Sequence, residues 1–168
     1  HRDLHSFPTR RSSDLLPFDK WPQMPADSNP IPVTIPSGVE LAGGWRFSCE
    51  NWRLPALARE QAERNEDSFQ VWLDADTLPA SLQLRIRGAG DRFEPLGMEG
   101  HSLKLSDFLV NEKMPRRARD RWPLLCSNDT VVWIPGYRLA EPFKLTSSSR
   151  RVAYFSLVRP PDKSLDLR

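Results

Sequence analysis

Cysteine is scarce in this chain. Cys49 and Cys126 stand far apart, with no CxxC partner and no neighbouring histidine. That excludes a disulfide framework and a thiolate metal knuckle, and two lone thiols fit a reducing cytosol. Histidine is also sparse: His1 and His5 lie at the extreme N-terminus, which leaves His101 as a surface or ligand-facing side chain rather than a catalyst. No apolar run approaches the ~20 residues of a membrane-spanning helix, so no membrane role is expected. The serines at 12–13 and 147–149 lack a G-x-S-x-G context. Gly88-Ala89-Gly90 has no Lys-Ser/Thr behind it, and Phe93 stands where a dinucleotide fingerprint needs its third glycine. That segment reads as a plain turn. Asp91 with Glu94, and Asp74 with Asp76, have neither a partner base nor a metal set and read as solvated turn carboxylates. No catalytic constellation is present, and no residue is assigned to a cofactor or metal.

Proline is abundant. Sixteen prolines spread through 168 residues argue for many short elements rather than long helices. Residues 1–15 (HRDLHSFPTRRSSDL) look like translated sequencing-adapter read-through or a disordered basic tail, and lack the apolar core of a signal peptide. The stretch 16–36, with prolines at 17, 22, 25, 30, 32 and 36, reads as an extended connector in which Ile31, Val33 and Ile35 alternate like an edge strand. Pro36-Ser37-Gly38 reads as a turn. The domain proper is expected over 37–159, with a tail at 160–168.

Within it, residues 39–41 and 45–49 should form a hairpin around Gly43-Gly44, whose glycines accept positive φ. LPALAREQAER (54–64) has helical apolar spacing. Residues 69–73, 124–126, 130–134 and 152–158 read as strands, with Ser127-Asn128-Asp129 as a hairpin turn. Leu82, Leu84 and Ile86 alternate with Gln83, Arg85 and Arg87, so the two arginines are expected side by side toward solvent. Leu105, Phe108 and Leu109 predict a helix over 103–112 with Ser106 as N-cap. Pro115 should open a second short helix running to Arg121. The expected fold class is α+β: a β-rich antiparallel domain with two short helices near 103–121.

Charge is divided unevenly. Residues 16–81 hold five Lys/Arg against ten Asp/Glu, whereas 82–168 hold sixteen against ten. Such asymmetry marks either a face for a polyanion or an ordinary solvated surface. Lys104, Lys113, Arg116, Arg117, Arg119 and Arg121 fall within eighteen residues, and Arg85, Arg87 and Arg92 precede them. Cations of this kind bind nucleic acid by displacing condensed counterions, and arginine suits forked bonding to phosphate. The competing reading is that Asp107, Glu112 and Asp120 pair with some of them. On a helix, 117 and 121 would share one face and 116 and 119 a neighbouring one. Tryptophans 45, 52, 72, 122 and 133 read as core, although Trp122, directly behind the arginines, could stack on a base.

Five blocks in one order carry a family resemblance. They are Gly90-Asp91-Arg92-Phe93 with Pro95-Leu96-Gly97; Lys104-Leu105-Ser106-Asp107-Phe108; Pro115-Arg116-Arg117; Asp120-Arg121-Trp122-Pro123-Leu124-Leu125; and Val132-Trp133-Ile134-Pro135-Gly136. Together they resemble the C-terminal domain of bacterial tRNA(Ile)-lysidine synthase. That enzyme ligates lysine to the wobble cytidine of an isoleucine tRNA with ATP, in an N-terminal domain bearing a Ser-Gly-Gly-x-Asp-Ser pyrophosphate loop. The motif does not occur here. The resemblance therefore implies a downstream piece of a cytoplasmic enzyme, inactive alone, with ATP and lysine handled in a missing catalytic domain. It further implies a fold shared with a phenylalanyl-tRNA synthetase module, and tRNA(Ile), including its acceptor stem, as partner. Carried over by position, Arg87, Arg92, Lys104, Arg116, Arg117, Arg119 and Arg121 become the candidate RNA-facing residues. A structural or homodimerisation module and an independent small enzyme are the rival readings.

Overall fold

A computed structural model describes residues 20–52, 60, 62–63 and 67–159. The segments 1–15 and 160–168, and most of the helix expected over 54–64, lie outside the described residues. At 60, 62 and 63 the backbone is helical, and Ala62 packs on Leu145 and Val152.

Two sheets enclose the core. The first joins β1 (Ile31–Val33), β5 (Leu82–Arg85), β8 (Leu124–Ser127), β9 (Thr130–Ile134), β6 (Arg92–Phe93) and β7 (Leu103–Lys104) in that spatial order, with β10 (Arg138–Leu139) beside β9. Its pairings are antiparallel except for the short parallel contact of Arg92 with Thr130. The second orders β2 (Ser37–Glu40), β3 (Arg46–Trp52), β11 (Val152–Val158) and β4 (Gln70–Asp74), all antiparallel. Phe47, Phe155 and Leu73 face inward from the second sheet and Leu84, Leu125 and Trp133 are buried in the first, all at 0–1% exposure. Burying such side chains contributes roughly 1.5–3 kcal/mol each. Alternation in β11 against β3 and β4 puts Phe155 and Leu157 inside while Tyr154 faces out.

Several expectations hold in detail. Gly43 and Gly44 both adopt positive φ (74° and 78°) in the turn between β2 and β3. Asn128, at φ 51°, turns β8 into β9. Trp45, Trp122 and Trp133 are core residues; Trp122 donates its indole N–H to the Pro135 carbonyl at 2.9 Å, so it is not free to stack on a base. Trp52 departs from the core reading: it is 43% exposed and sits edge-on to Trp72.

Other expectations need correction. The Pro36-Ser37-Gly38 turn is displaced: the chain bends at a cis Ile35–Pro36 bond, and Ser37 already belongs to β2. The edge strand read from the Pro-rich stretch does form, as β1 at the end of the first sheet, and a wholly buried Met24 packs into the core from the same stretch. The helix α1 spans Leu105–Asn111, with Lys104, not Ser106, at its N-cap position. No second α-helix follows. Pro115 stands just before a single 3-10 turn, Arg116–Ala118, so the shared faces that an α-helix to Arg121 would create do not exist. The cause is local: Lys113 takes a left-handed conformation (φ 56°) that ends α1, and Trp122-Pro123 leads straight into β8. The architecture is mostly β, with antiparallel sheets and one α-helix among the described residues.

Candidate nucleic-acid interface

The site is built around a carboxylate that the sequence left as a turn residue. Asp91 follows the Gly88–Gly90 turn, and its side chain folds back to meet Arg85, which extends from the end of β5. Arg85 donates to both Asp91 oxygens, at 2.8 and 3.0 Å, and to the carbonyls of Ile86 and Asn128 at 3.0 Å. Asp91 also accepts the Gly88 N–H at 2.6 Å, and its own carbonyl accepts the N–H of Leu105 at 2.9 Å. The pair is covered, with side-chain exposures of 12% and 6%. One residue, through its carboxylate and its backbone carbonyl, therefore ties together the end of β5, the glycine turn, the β8–β9 turn (through Arg85) and the start of α1. Arg85 does not point to solvent beside Arg87 as alternation implies, and its pKa is raised further by the hydrogen bond to Asp91. Asp91 is likewise not a solvated carboxylate, and neither is Asp74, which is buried and accepts the Ser149 hydroxyl at 2.7 Å.

Around this hub the exposed cations fall into a connected series. Arg92 and Lys104 are direct partners across the antiparallel β6–β7 pair, so their side chains leave the same face. Both are exposed, and Arg92 is steadied by the hydroxyl and carbonyl of Ser102. Lys104 and Arg87 line one open concavity of about 240 Å³, floored by the 88–91 turn and bounded by Leu105 and Ser106. Arg87 reaches on to Asp120 at 2.7 Å, a solvent-facing pair that links β5 to the arginine-rich turn. In that turn Arg116 and Arg117 are exposed, with no hydrogen-bond or ion-pair partner among the described residues.

Arg119 and Arg121 are committed elsewhere. Arg119 donates to the Met114 carbonyl at 3.0 Å. Arg121 donates to the Met24 carbonyl at 2.5 Å, while its own carbonyl accepts the Met24 N–H at 2.8 Å. Arg121 is thus a clamp that holds the N-terminal stretch against the domain. The expected acid partners behave unevenly: Asp120 takes Arg87, and Glu112 pairs with Arg138, which lies outside the cluster. His101 is exposed. Cys126 lies beneath the hub, where burial pushes its thiol up to about 12 despite the nearby Arg85 charge, so it is no nucleophile. Among the described residues no group of His, Cys, Asp or Glu could hold a metal, and no helix is long and apolar enough to cross a membrane.

The sequence reading missed the structural role of Asp91. Its signal was the spacing: an arginine at the end of a strand and an aspartate just after a glycine turn, close enough to fold back upon it.

The geometry agrees with what this chain resembles. The family profile described as "TilS substrate C-terminal domain" matches residues 82–154. This segment matches the TilS C-terminal domain. It carries the hub and every cation of the candidate series. Curated relatives concur: a tRNA(Ile)-lysidine synthase of Symbiobacterium thermophilum is 44% identical over 95 residues, covering 56% of this chain and 20% of the relative. One of Dehalococcoides mccartyi is 41% identical over 88 residues, covering 52% and 18%. The chain thus spans about a fifth of the length of the curated relatives it matches. In fold it is similar to the crystal structure of a TilS C-terminal domain, with a TM-score of 0.64 at 23% identity over 78% of this chain and 96% of that one. An N-terminal fragment of the phenylalanyl-tRNA synthetase β-subunit from Pyrococcus horikoshii shares the fold more distantly, with a TM-score of 0.50 at 17% identity over 76% and 40%.

Proposed function

We propose that the chain is the tRNA-recognition part of a tRNA(Ile)-lysidine synthase. It would hold tRNA(Ile), acceptor stem included, through phosphate contacts, while ATP and lysine are bound by a separate catalytic domain. The observation that carries this reading is the connected series Arg92, Lys104, Arg87 with the exposed Arg116 and Arg117, all on one TilS C-terminal domain. A-form RNA offers phosphates and 2′-hydroxyls to such a surface, so recognition rests on shape and backbone more than on base edges. Arg119 and Arg121 contribute charge but have little freedom to reach a ligand, since each guanidinium already donates to a backbone carbonyl.

The test is titration of the 168-residue chain with tRNA(Ile) over a salt series. Affinity should fall steeply as salt rises, in proportion to the phosphates neutralised. Arg116→Ala with Arg117→Ala should weaken binding and flatten that slope while leaving the unfolding midpoint unchanged. Absent or salt-independent binding would refute the proposal. A competing reading is dimerisation through the second sheet, favoured by the exposed Trp52 beside Trp72 and Tyr154. Sedimentation showing a dimer that ignores RNA would favour it.

A further inference from the structure

The concavity between the glycine turn and the start of α1 has features that a general cationic surface does not need. Two cations from different elements converge on it, Arg87 following β5 and Lys104 at the end of β7. Its floor is mostly backbone: in the 88–90 turn only Ala89 carries a side chain, a single methyl, and a Cβ built on Gly90 would meet nothing within 4 Å. Gly90 also has φ 81°, a conformation that favours glycine. The one carboxylate at the rim, Asp91, is already neutralised by two bonds from Arg85 and one from the Gly88 N–H. An incoming anion therefore meets a preset wall rather than a free acid. The space of about 240 Å³ is far above the ~15 Å³ that admits one water molecule.

We propose that this concavity seats a single phosphate group, with Arg87 and Lys104 as its two cations, the Gly88–Gly90 turn as its floor and the Arg85–Asp91 pair as the brace that keeps it open. Resting on the function proposed above, the occupant is one backbone phosphate of the bound RNA, and the seat fixes the register of the RNA on the rest of the cationic surface. Arg87 enters the seat by exchanging its exposed partner Asp120, which costs little because solvent-facing ion pairs are weak.

Two arms test it. In the first, inorganic phosphate is added to the isotopically labelled 168-residue chain at constant ionic strength. Saturable shifts should appear at the Gly88, Gly90 and Ser106 amides and vanish in the Arg87→Ala/Lys104→Ala variant; absent or diffuse shifts overturn the seat. In the second, that double variant is titrated with tRNA(Ile) over salt, and the slope of log affinity against log salt should shrink by about one, as for one lost phosphate contact. An unchanged slope, even with phosphate shifts intact, overturns the assignment to RNA. Asp120→Asn should raise affinity about two- to five-fold by releasing Arg87, and unchanged or weaker binding argues against Arg87 in the seat. If the wild-type chain binds no tRNA, the functional reading falls, and the phosphate arm alone decides whether the seat exists.

Discussion

The two sheets of this domain use polar groups in opposite ways. On the second sheet, outward-facing polar groups satisfy one another: Ser48 bonds Ser156, Tyr154 donates to Gln70, and Arg46 pairs with Glu40. Among the described residues, nothing there presents a row of free cations. On the first sheet a covered ion pair, Arg85–Asp91, sits beside exposed cations that include Arg92 and Lys104. A sheet whose polar groups are mutually paired holds shape. One whose acid is spent inside and whose cations remain outside can hold a polyanion.

That contrast can be broken at its strongest points first. Phe155→Ala in β11 removes a side chain of 0% exposure and should cost about 3–5 kcal/mol in denaturant unfolding. Under conditions where the variant is folded, it should leave the salt slope of RNA binding intact. Arg85→Met should cost a similar 3–5 kcal/mol by stranding Asp91 without its partner, but here the RNA salt slope should shrink as well, because the brace of the concavity is lost. Adding Asp91→Leu should recover much of the stability and none of the binding. If Arg85→Met and Phe155→Ala affect binding alike, the distinction between the sheets is wrong.

Smaller effects sharpen it. Lys113 occupies the left-handed position after α1, where the Met114 N–H bonds Leu109 and the Lys113 N–H bonds Val110. Glycine is preferred there, so Lys113→Gly should stabilise the domain by about 0.5–1 kcal/mol, measured as a raised melting temperature. Smallest of all is a pH effect at Glu141. The Lys144 ammonium, and then the Gly97 N–H, hold its carboxyl below the usual range. The folded state thus favours the ionised form. Its contribution is fully present above the ordinary value of about 4.5 and is lost as pH falls through the lowered folded value. Glu141→Gln should therefore flatten the acid limb of stability slightly, by a few tenths of a kcal/mol, given how exposed Lys144 is.

Most strands were legible along the chain because their signals are local. Leu82 and Leu84 alternate with polar neighbours, Gly43-Gly44 permits a turn, and Asn128 tolerates one. The short helix α1 was legible from Leu105, Phe108 and Leu109. Its cap was not, since the Leu105 N–H is taken by the Asp91 carbonyl, a partner from another segment. The basic cluster was visible as composition, yet its members have different fates. Arg116 and Arg117 stay exposed, while Arg119 and Arg121 turn to carbonyls of Met114 and Met24.

Periodicity and turn chemistry settle which residues can be strand, turn or core, because they depend on the backbone preferences and hydrophobicity of near neighbours. They assign Arg85 to the open face of β5 and Asp91 to a wet loop. Those two residues bury each other because the glycine turn brings them within hydrogen-bonding distance. A charged side chain leaves water where a partner meets it in good geometry, and that meeting depends on the packed fold.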